Sequence, residues 1–135
     1  MGASGHESAL VSPDLPLRVN LTCLENIALI DQLHQHASWD NASARAQELL
    51  TCMGHKDIAM KRDEDLSYSQ RFAVKIARAI MLKRQLIVID RPALLLPDVF
   101  YPQILRATLA CLLHEAREYV IIDYSWHTPL YETPP

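Results

Sequence analysis

Apolar residues in the first part of the chain recur at the spacing of helices that bury one face. Thr22 and Glu25 are three residues apart, as in a capping box, and predict a helix over about 22–36. A second helix is expected over about 41–53, with Gly54 ending it. The positions expected to face the core are Leu24, Ala28, Leu29 and Leu33 in the first helix, and Ala42, Ala46, Leu49, Leu50 and Met53 in the second.

Polar residues mark where the later helices begin. Asp40 or Asn41 is expected to cap the second helix. Ser67 and Gln70 form another capping-box pattern and predict a third helix to about residue 82. The charged segment between these helices, Lys56–Asp65, is expected to be a solvated connection. The third helix should bury Ala73, Ile76, Ala77 and Ile80.

The apolar pattern then changes to short continuous runs, which are typical of buried strands. Gln85–Asp90 and Tyr119–Asp123 are such runs, and a fourth helical pattern over about 104–118 separates them. Ala9–Ser12 is a third strand candidate, and Pro92 is expected to keep the segment after the first run irregular. Strands that alternate with helices predict an α/β fold with a small parallel sheet.

Composition narrows the possible classes of protein. A chain of 135 residues is expected to form one domain, residues 1–135. Its net charge of -3 gives no general attraction to nucleic acid, and its apolar stretches are shorter than the roughly 18 residues of a membrane span. Nucleic-acid partners and direct membrane insertion are therefore not expected. Cys23, Cys52 and Cys111 lack CxxC spacing and are expected to be reduced, buried thiols of a cytoplasmic protein.

Glycine is scarce, with three residues in the chain: Gly2, Gly5 and Gly54. Neither the phosphate-binding pattern GxxxxGK[ST] nor the dinucleotide-binding pattern GxGxxG can be assembled from them. Such glycines let backbone amides approach phosphate oxygens closely. The 135 residues are therefore not expected to bind a nucleotide on their own by that route.

Four segments, taken in order, carry a family resemblance. They are LTCLENIAL from Leu21, LSYSQRFAVKIARAI from Leu66, LIVIDRP from Leu86, and the strand YVIID with His127 beyond it. Together they resemble the ATP-binding subunit, or nucleotide-binding domain, of ABC transporters over about Val11–His127.

The resemblance implies a partial P-loop NTPase fold of the ABC ATPase type. It matches the part of that fold after the Walker A loop and its strand, so the chain is expected to be truncated before the Q-loop and to lack Walker A. Residues 22–65 would form the family's helical subdomain. Residues 66–128 would contain the signature helix, the Walker B-like strand and the H-loop-like strand.

The family's signature, LSGGQ, places a helix N-terminus against the γ-phosphate of ATP held by a second subunit. Here the matching residues after Leu66 are Ser67, Tyr68, Ser69 and Gln70, so both glycines are replaced. The resemblance implies a degenerate cofactor-binding signature, because the two side chains would crowd a phosphate that approaches the backbone. The alternative interpretation is a capped helix start with no ligand.

Asp90 matches the Walker B aspartate, which in the family assists Mg²⁺, and otherwise it is a carboxylate at a strand end. Arg91 stands where the resemblance implies the catalytic glutamate, and Pro13 stands where it implies the Q-loop glutamine. His127 is the candidate H-loop histidine, although Ser125 lies closer to the expected position. The resemblance therefore implies a degenerate ATPase in which no catalytic residue is retained.

A basic stripe on the third helix, Arg71, Lys75 and Arg78, is open to two interpretations: a solvated helix face or a contact with nucleic acid. His34 and His36 are two residues apart on a helix and do not form a metal pair.

Two classes of function fit these observations. In the first, the chain is an ABC ATP-binding-subunit-like protein that does not hydrolyse ATP alone and acts through an active subunit or a transmembrane partner. In the second, it is a free-standing adaptor or regulatory domain that binds no nucleotide. No cofactor is expected for the isolated chain, and ATP with Mg²⁺ is expected only with a complete partner subunit. The expected location is the cytoplasm, beside the inner membrane through a partner, and an uncovered sheet edge would favour self-association.

Overall fold

The computed structural model describes residues 8–97, 106–108, 110 and 118–122. Three strands and four helices are defined in this part of the chain, with 3₁₀ turns at Lys56–Ile58 and Asp63–Asp65. The strands are β1 Ser8–Val11, β2 Leu86–Asp90 and β3 Glu118–Ile122, and the helices are α1 Cys23–Gln35, α2 Trp39–Cys52, α3 Tyr68–Met81 and α4 Pro92–Leu95. Residues 106–108 and 110 are helical, and the rest of the predicted helix over 104–118 lies outside the described residues.

The three strands form one parallel sheet in the order β1-β2-β3. The register places Ala9 beside Ile87 and Ile87 beside Tyr119. The predicted α/β class with a small parallel sheet is confirmed. Each strand begins one residue earlier or later than the sequence pattern predicts.

The core lies between one face of this sheet and the helices. Ala9, Val11, Ile87 and Ile89 are buried on that face. The α3 residues predicted to be buried are buried, and Phe72, Val74 and Met81 join them, so this helix is enclosed on more than one side. Burial on this scale is the main favourable term for a domain of this size.

Both capping-box predictions are confirmed, and the N-cap predicted for α2 is wrong. Ser38 caps α2, with its Oγ accepting from the backbone N–H of Asn41 at 3.1 Å. Gly54 ends the helix as predicted: it has φ of 78°, and the N–H of His55 donates to the Leu50 carbonyl at 2.8 Å, as in a Schellman motif.

The buried face of α1 is rotated from the predicted one. The buried residues include Cys23, Ile27 and Ala28, whereas Leu33 is 57% exposed. Asn26 is also buried, because its side chain bonds the preceding loop: Nδ2 donates to the Arg18 carbonyl at 3.1 Å and Oδ1 accepts from the Arg18 N–H at 2.9 Å. A polar residue thus takes an inward position that the hydrophobic pattern alone cannot assign.

Two connecting segments are more ordered than the sequence suggests. Ile58 is fully buried within the charged link, and the carbonyl of Lys61 accepts from the N–H of Cys23 at 2.8 Å. The link is therefore attached to the helices at Ile58 and Ala59, while seven of its ten residues are exposed, as expected of a solvated connection. Pro92 begins α4, where its missing N–H has no cost because the first helical N–H groups have no partner within the helix.

The cysteines differ from one another. Cys23 is free and buried, as expected, and burial, together with the nearby Asp63 carboxylate, raises the pKa of its thiol to about 11. Cys52 is exposed and takes part in a disulfide, so the prediction of a reduced, buried thiol is wrong there. Cys111 lies outside the described residues.

Candidate functional site

The signature-like residues lie at the exposed N-terminus of α3. Ser67 is the N-cap: its Oγ accepts from the Gln70 N–H at 3.2 Å, and the Gln70 Oε1 accepts from the Ser67 N–H at 2.9 Å. Ser69 Oγ lies 3.3 Å from Ser67 Oγ. The side chains of Ser67 and Gln70 are therefore used to cap their own helix.

Tyr68 and Ser69 stand where the resemblance implies glycines, so this helix end carries two side chains there. Tyr68 is 44% exposed, and the Arg71 guanidinium lies 5.6 Å from the centre of its ring. Arg71 also donates through Nε to Asp63 Oδ1 at 2.6 Å. The Arg71 guanidinium is therefore held in place beside the helix N-terminus by a carboxylate and an aromatic ring.

A second group of polar side chains lies at the carboxyl ends of β1 and β2. Asp90 accepts a hydrogen bond from Ser12 Oγ at 3.0 Å, and Ser12 Oγ in turn accepts from the Asp14 N–H at 3.1 Å. Adjacent parallel strands end at the same edge of a sheet, which brings residues 78 positions apart in sequence into contact. Pro13, at the position implied for the Q-loop glutamine, lies between these two residues and carries no amide side chain.

Arg91 makes most of the hydrogen bonds in this second group. Its Nε lies 3.1 Å from both carboxylate oxygens of Asp90, and the same guanidinium reaches Asp14 Oδ2 at 2.6 Å. These bonds to Asp90 and then Asp14 raise the pKa of Arg91, so it stays charged. Asp90, Arg91 and Asp14 therefore form one ion-paired cluster.

The Mg²⁺ that the family uses beside ATP does not fit this cluster as it stands. Both oxygens of Asp90, the Walker B-like aspartate, accept bonds from the Arg91 guanidinium. A divalent cation at Asp90 would have to displace a positive charge or sit beside it. Within the described residues, no group of three or more His, Cys, Asp or Glu side chains is placed to hold a metal ion.

The basic stripe of α3 fits neither interpretation given to it from sequence. Lys75 is only 5% exposed, and its Nζ donates to the Ser12 carbonyl at 3.2 Å. Arg78 donates to the carbonyls of Leu15 and Pro16 at 2.8 and 2.9 Å. Two of the three cations therefore fasten the loop after β1 to α3, because each satisfies backbone carbonyls there.

The two candidate groups do not form a single site. Lys75, which contacts Ser12, is eight residues along α3 from Ser67, so the backbone positions of these two residues are separated by about 12 Å along the helix, and the hydrogen bonds of the signature residues and of Asp90 involve different partners. His127 and Ser125 lie outside the described residues.

Sequence reasoning missed Ser12, Asp14 and Lys75 as members of the Asp90 cluster. The available signal was the rule that carboxyl ends of parallel strands share one edge of the sheet. Applied to β1, that rule places Ser12 and Asp14 at the same edge as Asp90, whereas the strand order that makes β1 and β2 neighbours comes from the structure.

Two open clefts flank α1. The larger, of about 310 Å³, lies between β1, the loop after it, α1 and α3, and the smaller is about 270 Å³. Leu29 borders both, and Arg18 and Arg78 border the larger. In the described part of the chain, no helix is both long enough and apolar enough to span a bilayer.

Comparisons with a family model and with solved structures both relate the chain to ABC transporters. The family model described as ABC transporter matches residues 2–94. Among solved structures, the chain is similar to CbiO1 from Clostridium perfringens, which is described as part of the ABC transporter complex CbiONQ. The TM-score is 0.77 at 18% sequence identity, over 94% of this chain and 51% of that one.

The chain thus spans about half the length of that protein. At this level of identity the match concerns the fold, which is a partial ABC ATPase fold. No curated protein matches the chain by sequence. Because the family model covers more than half of its residues, the chain belongs to the ABC transporter family.

Proposed function

We propose that this ABC ATP-binding-subunit-like chain does not hydrolyse ATP by itself and acts through contacts with an active subunit or a membrane partner. The observation that carries the proposal is Arg91, which occupies the position expected for the catalytic glutamate and binds both oxygens of Asp90. A general-base carboxylate typically contributes about 10² to 10⁴-fold to the rate, and a guanidinium cannot take a proton from water.

The rest of the proposal rests on the resemblance. The 135 residues contain no glycine-rich phosphate loop, and the resemblance implies that they correspond to the part of the family fold after Walker A. Residues 22–65 would serve as the helical subdomain, and residues 66–128 would carry the signature helix and the two strands that follow it. The chain would work in the cytoplasm, beside the inner membrane through its partner. ATP and Mg²⁺ would be held by the complete partner subunit.

The test is phosphate release from ATP with Mg²⁺ by the purified chain, its Asp90→Asn variant and its Arg91→Glu variant. We expect no turnover above background from any of the three. Restoring a carboxylate at Arg91 should not create activity, because no loop in these residues grips the β- and γ-phosphates. Wild-type turnover that the Asp90→Asn variant lacks would contradict the proposal.

The second candidate, an adaptor that binds no nucleotide, is favoured by one observation. Ser67 and Gln70 complete each other's hydrogen bonds, so the start of α3 is formed without any ligand.

A variant with both Tyr68→Gly and Ser69→Gly separates the two candidates. We would compare its binding to a complete ATP-binding subunit of the family, loaded with ATP, with that of the wild type. If the signature still contacts nucleotide, the variant should bind more tightly, because the phosphate can approach the backbone. Equal affinity would favour the adaptor.

A further inference from the structure

The backbone of Arg91 adopts an unusual conformation. Its φ of 51° and ψ of 61° lie in the left-handed region, although it is not glycine and precedes Pro92, which disfavours helical conformations at the preceding residue. The Arg91 N–H donates to the Ile122 carbonyl at 2.7 Å, which joins this residue to the carboxyl end of β3. Strained positions of this kind persist only where surrounding contacts hold them.

The side-chain contacts of Arg91 supply such a hold. One guanidinium bridges Asp90, which ends β2, and Asp14, which lies just after β1. The Asp90 side chain is 20% exposed and that of Asp14 is 75% exposed, so the inner half of the bridge is sheltered and the outer half is in water. With its backbone bond to β3, Arg91 therefore contacts the ends of β2 and β3 and the loop after β1 at one edge of the sheet.

Two carboxylates placed like Asp90 and Asp14 can also be bridged by a divalent cation. Carboxylates from neighbouring strand ends are the ligands that Mg²⁺ and Mn²⁺ prefer, and the metal would offset their mutual repulsion. Here a bidentate guanidinium offsets it, and Ser12 Oγ, at 3.0 Å from Asp90, fixes the orientation of that carboxylate. Lys75, on the Ser12 carbonyl, adds a second positive charge nearby.

We propose that the Arg91 guanidinium takes the place of a divalent cation between Asp90 and Asp14, so that this edge of the sheet is held together without metal. The inference deepens the proposed function and rests on it, since a chain that used Mg²⁺ at Asp90 could not keep Arg91 there. It predicts that the wild-type protein is indifferent to divalent cations and that removing the guanidinium makes the same carboxylates receptive to them.

The test measures Mn²⁺ binding by electron paramagnetic resonance, and thermal unfolding with and without Mn²⁺, in the absence of nucleotide. The wild type should bind no Mn²⁺ at this site, and its Tm should not change. Arg91→Gln and Arg91→Glu should lower the Tm by about 3–8 °C without metal and regain part of that loss with Mn²⁺. An added Asp90→Asn change should abolish the gain. Arg45→Gln, which removes a surface arginine 4.0 Å from Glu48, is the matched control and should show no response to Mn²⁺.

A measurement on the wild type keeps the inference testable if the Arg91 variants do not fold. The Arg91 Nε–H should give a slowly exchanging NMR signal that is lost in Asp90→Asn and unchanged by Mg²⁺. Loss of that signal on adding Mg²⁺, or Mn²⁺ binding by the wild type that depends on Asp90, would overturn the inference. So would folded Arg91 variants with an unchanged Tm and no response to Mn²⁺. None of these readouts involves ATP, so ATP turnover would refute the proposed function separately.

Discussion

Lys75 is a buried lysine whose charge opposes folding. Its pKa is lowered to about 8, mainly by burial and then by the nearby Arg78 and Arg71 guanidinium groups. Between about pH 8 and the ordinary value near 10.5, the unfolded chain therefore binds more protons at this residue than the folded chain does. The free energy of unfolding should rise with pH across that window, and the penalty is fully present below it.

The Lys75→Met variant tests this account. Because the Ser12 carbonyl also accepts from the Leu15 N–H at 3.1 Å, the loss of Nζ leaves that carbonyl paired. We expect the variant to be more stable than the wild type at pH 7 by about 1–2 kcal/mol and to lose the rise in stability above pH 8. Urea unfolding at several pH values measures both effects.

The exposed Lys56 provides a control, since Lys56→Met should leave the pH dependence as it is. A Lys75→Met protein less stable than the wild type at pH 7 would show that the ammonium contributes net stability.

Neighbouring residues at the start of α3 are expected to contribute differently to stability. Ser67 holds the Gln70 N–H, whereas the Tyr68 ring is partly exposed and Ser69 Oγ contacts another hydroxyl. Ser67→Ala should therefore cost about 0.5–2 kcal/mol of stability, as the loss of an N-cap does, while Ser69→Ala should change it by less than about 0.5 kcal/mol.

Ser69→Ala is thus the control for Ser67→Ala, because the same hydroxyl is removed two residues away. Denaturant unfolding measures the stability of both variants. Equal losses for the two variants would mean that the cap is not what stabilises this end of the helix.

At the scale of the whole molecule, one face of the sheet is partly exposed in the described part of the chain. Leu10, Val88 and Val120 stand side by side in the register, on the face opposite the buried residues. Leu10 is 47% exposed and Val120 is 45% exposed. A row of apolar side chains across three strands favours association with another surface.

We therefore expect the isolated chain to self-associate, and Leu10→Ser with Val120→Thr to reduce that association. Light scattering and sedimentation over a range of concentrations measure it. Met60→Ser removes an exposed apolar side chain from the segment between α2 and α3, which does not line that face, and should have little effect. A wild-type chain that stays monomeric at high concentration would contradict the prediction.

Much of the fold follows from interactions between residues close in sequence. Thr22 with Glu25 and Ser67 with Gln70 cap helices across three residues, so their patterns can be read directly from the chain. Apolar runs likewise identify β2 and β3, although the burial on both faces that such runs usually indicate is not found: β2 is fully buried on one face, and β3 is largely exposed. These local signals, with the family resemblance, were enough for the α/β class, the parallel sheet and the position of Asp90.

The contacts around Asp90 could not be read in that way. Ser12 meets Asp90 across 78 residues, and Lys75 meets the Ser12 carbonyl across 63. A basic residue on a helix is normally expected in water, and here folding instead buries Lys75 against the Ser12 carbonyl. The substitution at Arg91 was visible in the chain, whereas its bridge to Asp14 and Asp90 depends on strand order and a left-handed backbone, which arise only when the three strands assemble.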